Sequence, residues 1–574
     1  MRSQAVPSYE ELFHDTNNYN TLIKGLTNES VITICVALIN ELSSNEEKYA
    51  LQNRIYNELS ITFPVAEKKT TDQALTKFWN KIGLEFGVLF HRSYLLKMIL
   101  VELNAPREAT ETGESLQEFN FFKAYVRVVT DVNREQSTKV RFDNLSEDKF
   151  ERKLELLWKP TISSYEFNER PHLPFEQFKV MTFLKYAYEN YHAALGQYLE
   201  INHQKSIGNL LSSFNQVNKT ALASDPAARL KRLAYLKPES NVDTQHLDRQ
   251  TINKQADKVF GVSDIKMYPL YLTKTRGYMV IDPDFYMRKN YYGPFFELRS
   301  QTSLKDGLSF NSYSSQVSQA LEANCFRPIF TLLCKELSSA NVKVDDGSQN
   351  APDGYCHIEK VIFVLEYKAS IFPEVLSQTG EIKDISELLD KKFVSSSAGK
   401  KGIGQLEQKL EILFNGGYDD DKLDLSNSNE KYRIYPLIIH HDFYFSLSGV
   451  NDYLLQKFEN ERPEHDNFEV MPLVVMNLSV LYELVTANLN ITILDRLFIE
   501  YYKFLQQATL SLYTNPEDKT NQFLAANMSF DEFFNQYILT QLPRPADQIR
   551  KEIIKELFDR AGISFEEFNK PFNV

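Results

Sequence analysis

An uninterrupted apolar run that ends in an acid and a base constrains this chain more than any other feature. Residues 361–365 read VIFVL, and Glu366, Tyr367 and Lys368 follow directly. Such a run of branched, aromatic and aliphatic residues predicts a strand that is buried on both faces. Because residues two apart in a strand project to the same face, Glu366 and Lys368 should point together where the strand ends. A buried acid beside an amine needs a further partner, and a metal ion is one such partner.

Length and composition indicate a folded protein with several domains. The chain has 574 residues, which at roughly 100–200 residues per domain predicts about two to four domains. An apolar content of 43% and a charged content of 25% are typical of a globular chain. The net charge of −13 argues against a surface that binds nucleic acid everywhere, but it permits a local basic groove.

The sequence also favours a reducing, cytoplasmic location without membrane association. The four cysteines form no C-x-x-C pair, and no histidine lies at zinc-finger spacing from two of them, so free thiols are expected; they are Cys35, Cys325, Cys334 and Cys356. The first residues contain no apolar core of a signal peptide. The longest apolar runs, such as 31–39, are much shorter than the roughly 20 residues that span a bilayer.

The pattern of hydrophobic residues divides the chain into four parts. Apolar residues recur at helical spacing over 1–222, which predicts a large helical domain. The segment 223–300 is predicted to be a linker followed by a small mixed region whose aromatic runs suggest strands and turns. Helices and strands alternate over 301–488, with a helix break expected at Pro328. The segment 489–574 returns to a helical pattern, so the predicted fold class is mixed α+β.

A second acid belongs with the strand end. Asp353 lies in a Pro-Asp-Gly turn, just before a short strand that should form a hairpin with the apolar run. That hairpin would bring the carboxylates of Asp353 and Glu366 together, and carboxylates are the ligands that Mg²⁺ prefers. A metal held there would activate water for attack on a phosphodiester. Lys368 would orient or deprotonate that water, or neutralise the negative charge that grows on the phosphate.

Pro352 and Asp353, followed by Glu366, Tyr367 and Lys368, resemble the signature of the PD-(D/E)XK, or restriction-endonuclease-like, nuclease superfamily. The order of predicted elements over about 300–485 is similar to that family as well. The resemblance implies a restriction-endonuclease-like α/β nuclease core at 301–488. It also implies Mg²⁺- or Mn²⁺-dependent cleavage of nucleic acid, DNA more than RNA, with Asp353 and Glu366 as metal ligands.

The resemblance extends to candidate residues on the neighbouring helices. The family often carries a further acid on the first core helix, and Glu322 is the best match by position, with Glu336 as the alternative. Its following helix often supplies a glutamine or lysine, and here Gln405 is the candidate for a catalytic residue and Lys409 for a nucleic-acid contact, each weighed against a plain exposed helix position. The lysines before that helix suit a nucleic-acid backbone, with a solvated loop as the alternative; they are Lys391, Lys392, Lys400 and Lys401.

Three other polar clusters carry less weight. The acidic segment 417–424 lacks flanking apolar strands and is predicted to be a surface loop. His357, and the pair His440 and His441 before Asp442, are each more typical of packed or hydrogen-bonded side chains than of catalytic ones.

Three classes of function remain open at this level, and the third is a helical interaction protein whose α/β segment is purely structural. The first is a metal-dependent nuclease whose helical arms sense a signal, recruit a protein partner or form a homo-oligomer; by analogy of layout, it would act in prokaryotic antiviral defence or restriction. The second is a non-catalytic nucleic-acid or protein-binding scaffold with a decayed nuclease core. The presence of Asp353, Glu366 and Lys368 together favours the first.

Overall fold

The computed structural model describes most of the chain. The described residues are 6–42, 48–82, 87–105, 117–139, 148–168, 172–220, 235–236, 244–255, 258–274, 277–335, 337, 340–344, 351–372, 382–396, 399–416, 418, 420–424, 431–514 and 519–572. Most of the predicted linker after residue 222, and the alternative acid Glu336, lie outside them.

The described part of the first 220 residues is helical, as its sequence pattern predicts. Its α-helices are Tyr9–Leu12, Tyr19–Leu22, Asn28–Leu42, Lys48–Leu59, Val65–Ile82, Arg92–Asn104, Gln117–Lys139, Lys149–Asn168, Leu173–Asn190, His192–Ile201 and Ile207–Thr220, with a 3₁₀ turn at Ser60–Thr62. Helices up to Gln117–Lys139 share one apolar core with residues between Ile252 and Phe285. The helix Leu173–Asn190 packs instead into the core on one face of the main sheet. The domain divisions drawn from the sequence stay predictions.

The segment between 245 and 333 is more helical than its aromatic runs suggest. Its helices are Gln245–Arg249, Val262–Met267, Pro283–Tyr292, Pro294–Ser300, Leu304–Gly307, Phe310–Leu321 and Arg327–Leu333, with a 3₁₀ turn at Ile252–Lys254. The sequence predicts strands and turns in this part of the small mixed region, and among the described residues between 268 and 300 the strands form one hairpin, Leu270–Thr273 and Gly277–Val280. Asp282 begins a helix after this hairpin, because its side chain accepts a hydrogen bond from the Phe285 amide and Pro283 occupies the first helical position.

The expected break at Pro328 takes the form of a π-helical turn. The helix Phe310–Leu321 passes through the π turn Glu322–Phe326 into the helix Arg327–Leu333, where Pro328 is in the first turn. The π turn places Glu322 at the point where the helix changes phase, and single π turns inside α-helices occur often at functional sites.

The alternating region forms a six-stranded mixed sheet. The strands of the described chain are β1 (Tyr235–Leu236), β2 (Leu270–Thr273), β3 (Gly277–Val280), β4 (Asn341–Val344), β5 (Gly354–Ile358), β6 (Val361–Lys368), β7 (Ser395–Ser396), β8 (Gly399–Lys400), β9 (Tyr432–His440), β10 (Phe468–Val470) and β11 (Val474–Asn477). The main sheet has the order β10-β9-β6-β5-β4, and β11 also pairs with β9. β4, β5 and β6 are antiparallel neighbours, whereas β6 and β9 are parallel.

Helices cover both faces of this sheet. One face of β6 carries Phe363, Leu365 and Tyr367, which belong to the core shared with Leu173–Asn190 and the C-terminal helices. The other face carries Ile362 and Val364, which pack in a second core. The helices that follow the hairpin are Ile382–Leu389, Gly402–Phe414, Val450–Glu461 and Leu478–Thr486, with a π turn at Asp390–Val394 and a 3₁₀ turn at Phe443–Ser446.

The described C-terminal part is helical, as predicted. Its helices are Ile493–Thr514, Lys519–Ala526, Phe530–Phe533, Asp547–Arg560 and Phe565–Phe568, with irregular turns at Phe534–Ile538 and Leu539–Gln541. Across the described residues, none of the helices is both long and apolar enough to cross a membrane. The mixed α+β fold class predicted from the sequence is confirmed at this coarse level.

Candidate active site

The hairpin of β5 and β6 sets Asp353 beside Glu366. Gly354 pairs with Leu365 in the antiparallel register, so the next position along the hairpin sets Asp353 opposite Glu366. Opposed residues in such a pair have Cβ atoms about 4.5–5.5 Å apart and share a face of the sheet. The Tyr367 amide donates a hydrogen bond of 2.6 Å to Asp353 Oδ2, which fixes the turn carboxylate at the strand end.

Two lysines surround the buried Glu366 carboxylate. Only 1% of Glu366 is exposed. Lys368 Nζ lies 2.5 Å from Glu366 Oε1, which confirms that the two side chains share a face of β6. Lys409 Nζ donates to the other oxygen, Oε2, and lies 3.8 Å from Asp353 Oδ1. Lys409 is therefore buried between the two carboxylates, and it does not occupy the exposed helix position weighed from the sequence.

The environment of Asp353 favours its protonated form. Burial and the neighbouring Glu366 carboxylate raise the pKa of Asp353 to about 7, and Glu322 adds to the increase. The ammonium groups of Lys409 and Lys368 oppose it. A carboxyl whose pKa is shifted by burial and by a second acid is frequent where carboxylates do chemical work.

Glu322 and Gln405 flank the carboxylates from two different helices. Glu322 forms an ion pair of 2.8 Å with Arg327, its neighbour across the π turn. Gln405 precedes Lys409 by one turn of the helix Gly402–Phe414, and its side-chain oxygen is buried with no hydrogen-bond partner among the described residues. An orphaned buried oxygen costs free energy, so this amide has an unfilled capacity for a ligand.

A cleft adjoins the strand end, and Asp353, Glu366 and Lys409 are not among its lining residues. It has a volume of about 1040 Å³ and is lined by Glu322, Lys368 and Gln405 together with side chains from residues 249–319. Among its lining residues are eight lysines and arginines but only two glutamates. The chain as a whole has a net charge of −13, so the positive charge of the cleft is opposite in sign to that of the whole molecule. Such a cleft would attract a polyanion.

Three of the four candidate backbone-binding lysines line this cleft. Lys391 and Lys392 lie in the π turn Asp390–Val394, and Lys401 directly precedes the helix Gly402–Phe414. Burial and the charges of Lys391 and Lys401 lower the pKa of Lys392, so the three ammonium groups lie within electrostatic range of one another. Lys400 is exposed on β8 and is not part of the cleft lining.

The other polar clusters have structural partners. Asp420, from the acidic segment, is buried and accepts hydrogen bonds from Tyr355 at 2.6 Å and Asn341 at 2.7 Å, and it pairs with His357 at 2.7 Å. It therefore ties the segment to β4 and β5, a role that the loop prediction missed. Gly417 and Asp419 of that segment lie outside the described residues.

His440, the last residue of β9, and His441, which follows it, are both buried. The Tyr367 hydroxyl lies 3.1 Å from His441 Nδ1, and burial lowers the pKa of His440 to about 3. Neutral, packed imidazoles agree with the prediction that His440 and His441 are packed or hydrogen-bonded side chains and are not catalytic.

Binding of a hard divalent cation at this strand end would depend on one condition. The described residues contain no group of three or more His, Cys, Asp and Glu side chains that could hold a metal. The available ligands are the oxygens of Asp353 and Glu366, with the unpartnered oxygen of Gln405 one helical turn from Lys409, and hard cations prefer such oxygen ligands. The condition is that Lys409 yields its contact with the carboxylates.

Comparison of the chain with protein-family models, with curated proteins and with solved structures finds no match in any of the three sets. The function is therefore argued from the geometry of the site.

Proposed function

We propose that this chain is a metal-dependent nuclease that hydrolyses phosphodiester bonds, with DNA the preferred substrate over RNA. One observation carries the proposal: Asp353, Glu366 and Lys368 meet at one end of the β5–β6 hairpin, beside a cleft whose charged lining residues are mostly cationic. Buried acids alone would fit many chemistries. The positive charge of the cleft favours a substrate that is an extended anion.

Each side chain has a role that follows from its position. Asp353 and Glu366 would hold Mg²⁺ or Mn²⁺, which when bound supplies positive charge that acidifies water and neutralises phosphate oxygens. Lys368 donates hydrogen bonds toward the phosphate and offsets the charge that grows on it. Water adds its oxygen to phosphorus, the ester bond to the leaving oxygen breaks, and the water proton passes to that oxygen or to solvent. Gln405 would orient the water by accepting a hydrogen bond from it through its side-chain oxygen.

The test is cleavage of plasmid, single-stranded DNA and RNA with Mg²⁺, with Mn²⁺ and with EDTA. The wild type is expected to cut only with a divalent ion. Asp353→Asn, Glu366→Gln and Lys368→Ala should each reduce the rate by at least about 100-fold, because each removes charge that acts on the reacting phosphate.

Glu359→Gln is the matched control for the acids. Glu359 is exposed in the turn at the opposite end of the same hairpin, so its substitution should leave cleavage unchanged. Equal, metal-independent background in the wild type and all variants would instead identify a scaffold with an inactive core. Circular dichroism of each variant checks that loss of activity is not loss of fold.

A further inference from the structure

The cleft has two walls of different chemistry. The ring wall comes from the helical segment before the sheet and presents the aromatic side chains of Tyr268, Tyr292, Phe296 and Phe310. The lysine wall comes from the segment before the helix Gly402–Phe414 and presents Lys391, Lys392 and Lys401. Lys368 and Gln405 of the candidate active site also line the cleft.

The rings keep exposed surface inside this polar cleft. Phe310 is 52% exposed, and Tyr268, Tyr292 and Phe296 are only partly buried. The Arg288 guanidinium lies 5.1 Å above the centre of the Tyr292 ring, which adds a flat cationic surface to the same wall. A group of large exposed rings with charged neighbours is typical of a binding surface, whereas isolated exposed apolar residues are not.

We propose that the cleft binds an unpaired nucleic-acid strand, with bases stacked on the ring wall and phosphates against the lysine wall. In a duplex the faces of the bases are covered by their neighbours, so the rings would have nothing to stack on. In a single strand every base offers a face, and proteins that bind single strands combine aromatic platforms with a basic groove.

The size of the cleft agrees with this occupant. Its volume of about 1040 Å³ is at the upper end of pockets that enclose small ligands, about 300–1,000 Å³. Such a space suits a few unstacked nucleotides of one strand. The proposal rests on the proposed function for the fate of that strand, because the strand in the cleft would pass Lys368.

Binding is measured separately from cleavage, in EDTA. Fluorescence anisotropy compares labelled oligo-dT and oligo-U with a duplex of the same length. The wild type should bind at least one of the single strands at least about tenfold more tightly than the duplex. Phe310→Ala should weaken that binding at least about fivefold, because stacking of one base is lost. Phe310→Trp, which keeps a larger ring, should bind as tightly as the wild type or more tightly.

Phe565→Ala is the matched control, since Phe565 is 55% exposed on the C-terminal helix Phe565–Phe568 and does not line the cleft. It should leave binding unchanged. Duplex binding as tight as single-strand binding, or unchanged binding by Phe310→Ala, would overturn the proposal. Single-strand binding without metal-dependent cleavage would overturn the proposed function and support this one. Cleavage of duplex only, without single-strand binding, would support the proposed function and overturn the proposal of single-strand binding.

Discussion

At the scale of single residues, Lys409 has the least expected role. Its ammonium group contacts Glu366 and lies 3.8 Å from Asp353, so it compensates two buried acids at once. Replacement by methionine keeps an unbranched side chain but removes the positive charge that compensates the two acids. We expect Lys409→Met to lower the free energy of unfolding in EDTA by about 3 kcal/mol, as measured by urea denaturation.

The same variant reports on the proposed metal. If a divalent ion replaces the ammonium group beside the carboxylates, Mg²⁺ should raise the Tm of Lys409→Met more than that of the wild type. Lys555→Met is the control, because Lys555 is 79% exposed on the helix Asp547–Arg560. Equal Mg²⁺-induced shifts in Lys409→Met and the wild type would contradict a shared position for the ammonium and the metal.

Asp353 predicts a dependence of stability on pH in the metal-free protein. Its pKa rises from 3.8 to about 7 in the folded protein. Between these values the folded state holds a proton that the unfolded chain has lost, so the free energy of unfolding falls as pH rises through this window. Asp353→Asn has no such proton, and its stability relative to the wild type should therefore increase from pH 4 to pH 7, by up to about 4 kcal/mol.

Urea unfolding across that pH range, in EDTA, measures the difference. Asp384→Asn, at an exposed position of the helix Ile382–Leu389, should show no comparable trend. A constant difference between Asp353→Asn and the wild type at all pH values would mean that Asp353 ionises as freely in the folded protein as in the unfolded chain.

At the scale of elements, the hairpin and the helix after it were predictable because their signals are local. Turn residues bound the apolar run of β6, and helical spacing marks Gly402–Phe414. The burial of Lys409 was not predictable. Sequence spacing shows which residues share a helix face, but it does not show that this face packs against buried carboxylates. The ring wall could not be predicted for a related reason. Its aromatic residues line the same cleft as Lys368 and Gln405 because distant parts of the chain come together.

At the same scale, we expect the placement of the lysine wall to depend on Gly402. Its φ is +28°, and a Cβ atom there would lie 2.6 Å from the Phe393 carbonyl oxygen. Gly402→Ala should therefore displace the start of the helix that carries Gln405. Gly416, with φ of +71° and open space around it, suffers only the backbone strain. We expect Gly402→Ala to lower the free energy of unfolding by at least about 1 kcal/mol more than Gly416→Ala.

Single-strand binding distinguishes the two glycine variants further. Only Gly402→Ala should weaken it, because only that substitution moves Lys401 relative to Lys391 and Lys392. Equal losses of stability and of binding in both variants would indicate that the close approach to Phe393 does not set the shape of the cleft.

At the scale of the whole molecule, a net charge of −13 opposes any polyanion while the cleft attracts it. Salt dependence separates the two effects, because only direct phosphate contacts release counterions from the strand. Simultaneous substitution of Lys391, Lys392 and Lys401 by alanine should therefore reduce the slope of log K against log salt by about 2 for a single strand, at about 0.7 per contact. Anisotropy titrations at several salt concentrations give that slope.

The matched control is a second triple variant that removes the same charge elsewhere. Lys551, Lys555 and Lys570 are exposed near the C-terminus, and their replacement by alanine makes the molecule equally more negative. The distant triple should weaken binding modestly and leave the slope unchanged, since it alters the long-range field but no contact. Equal changes of slope in both triples would mean that the lysine wall acts only through net charge, and that the strand lies elsewhere on the molecule.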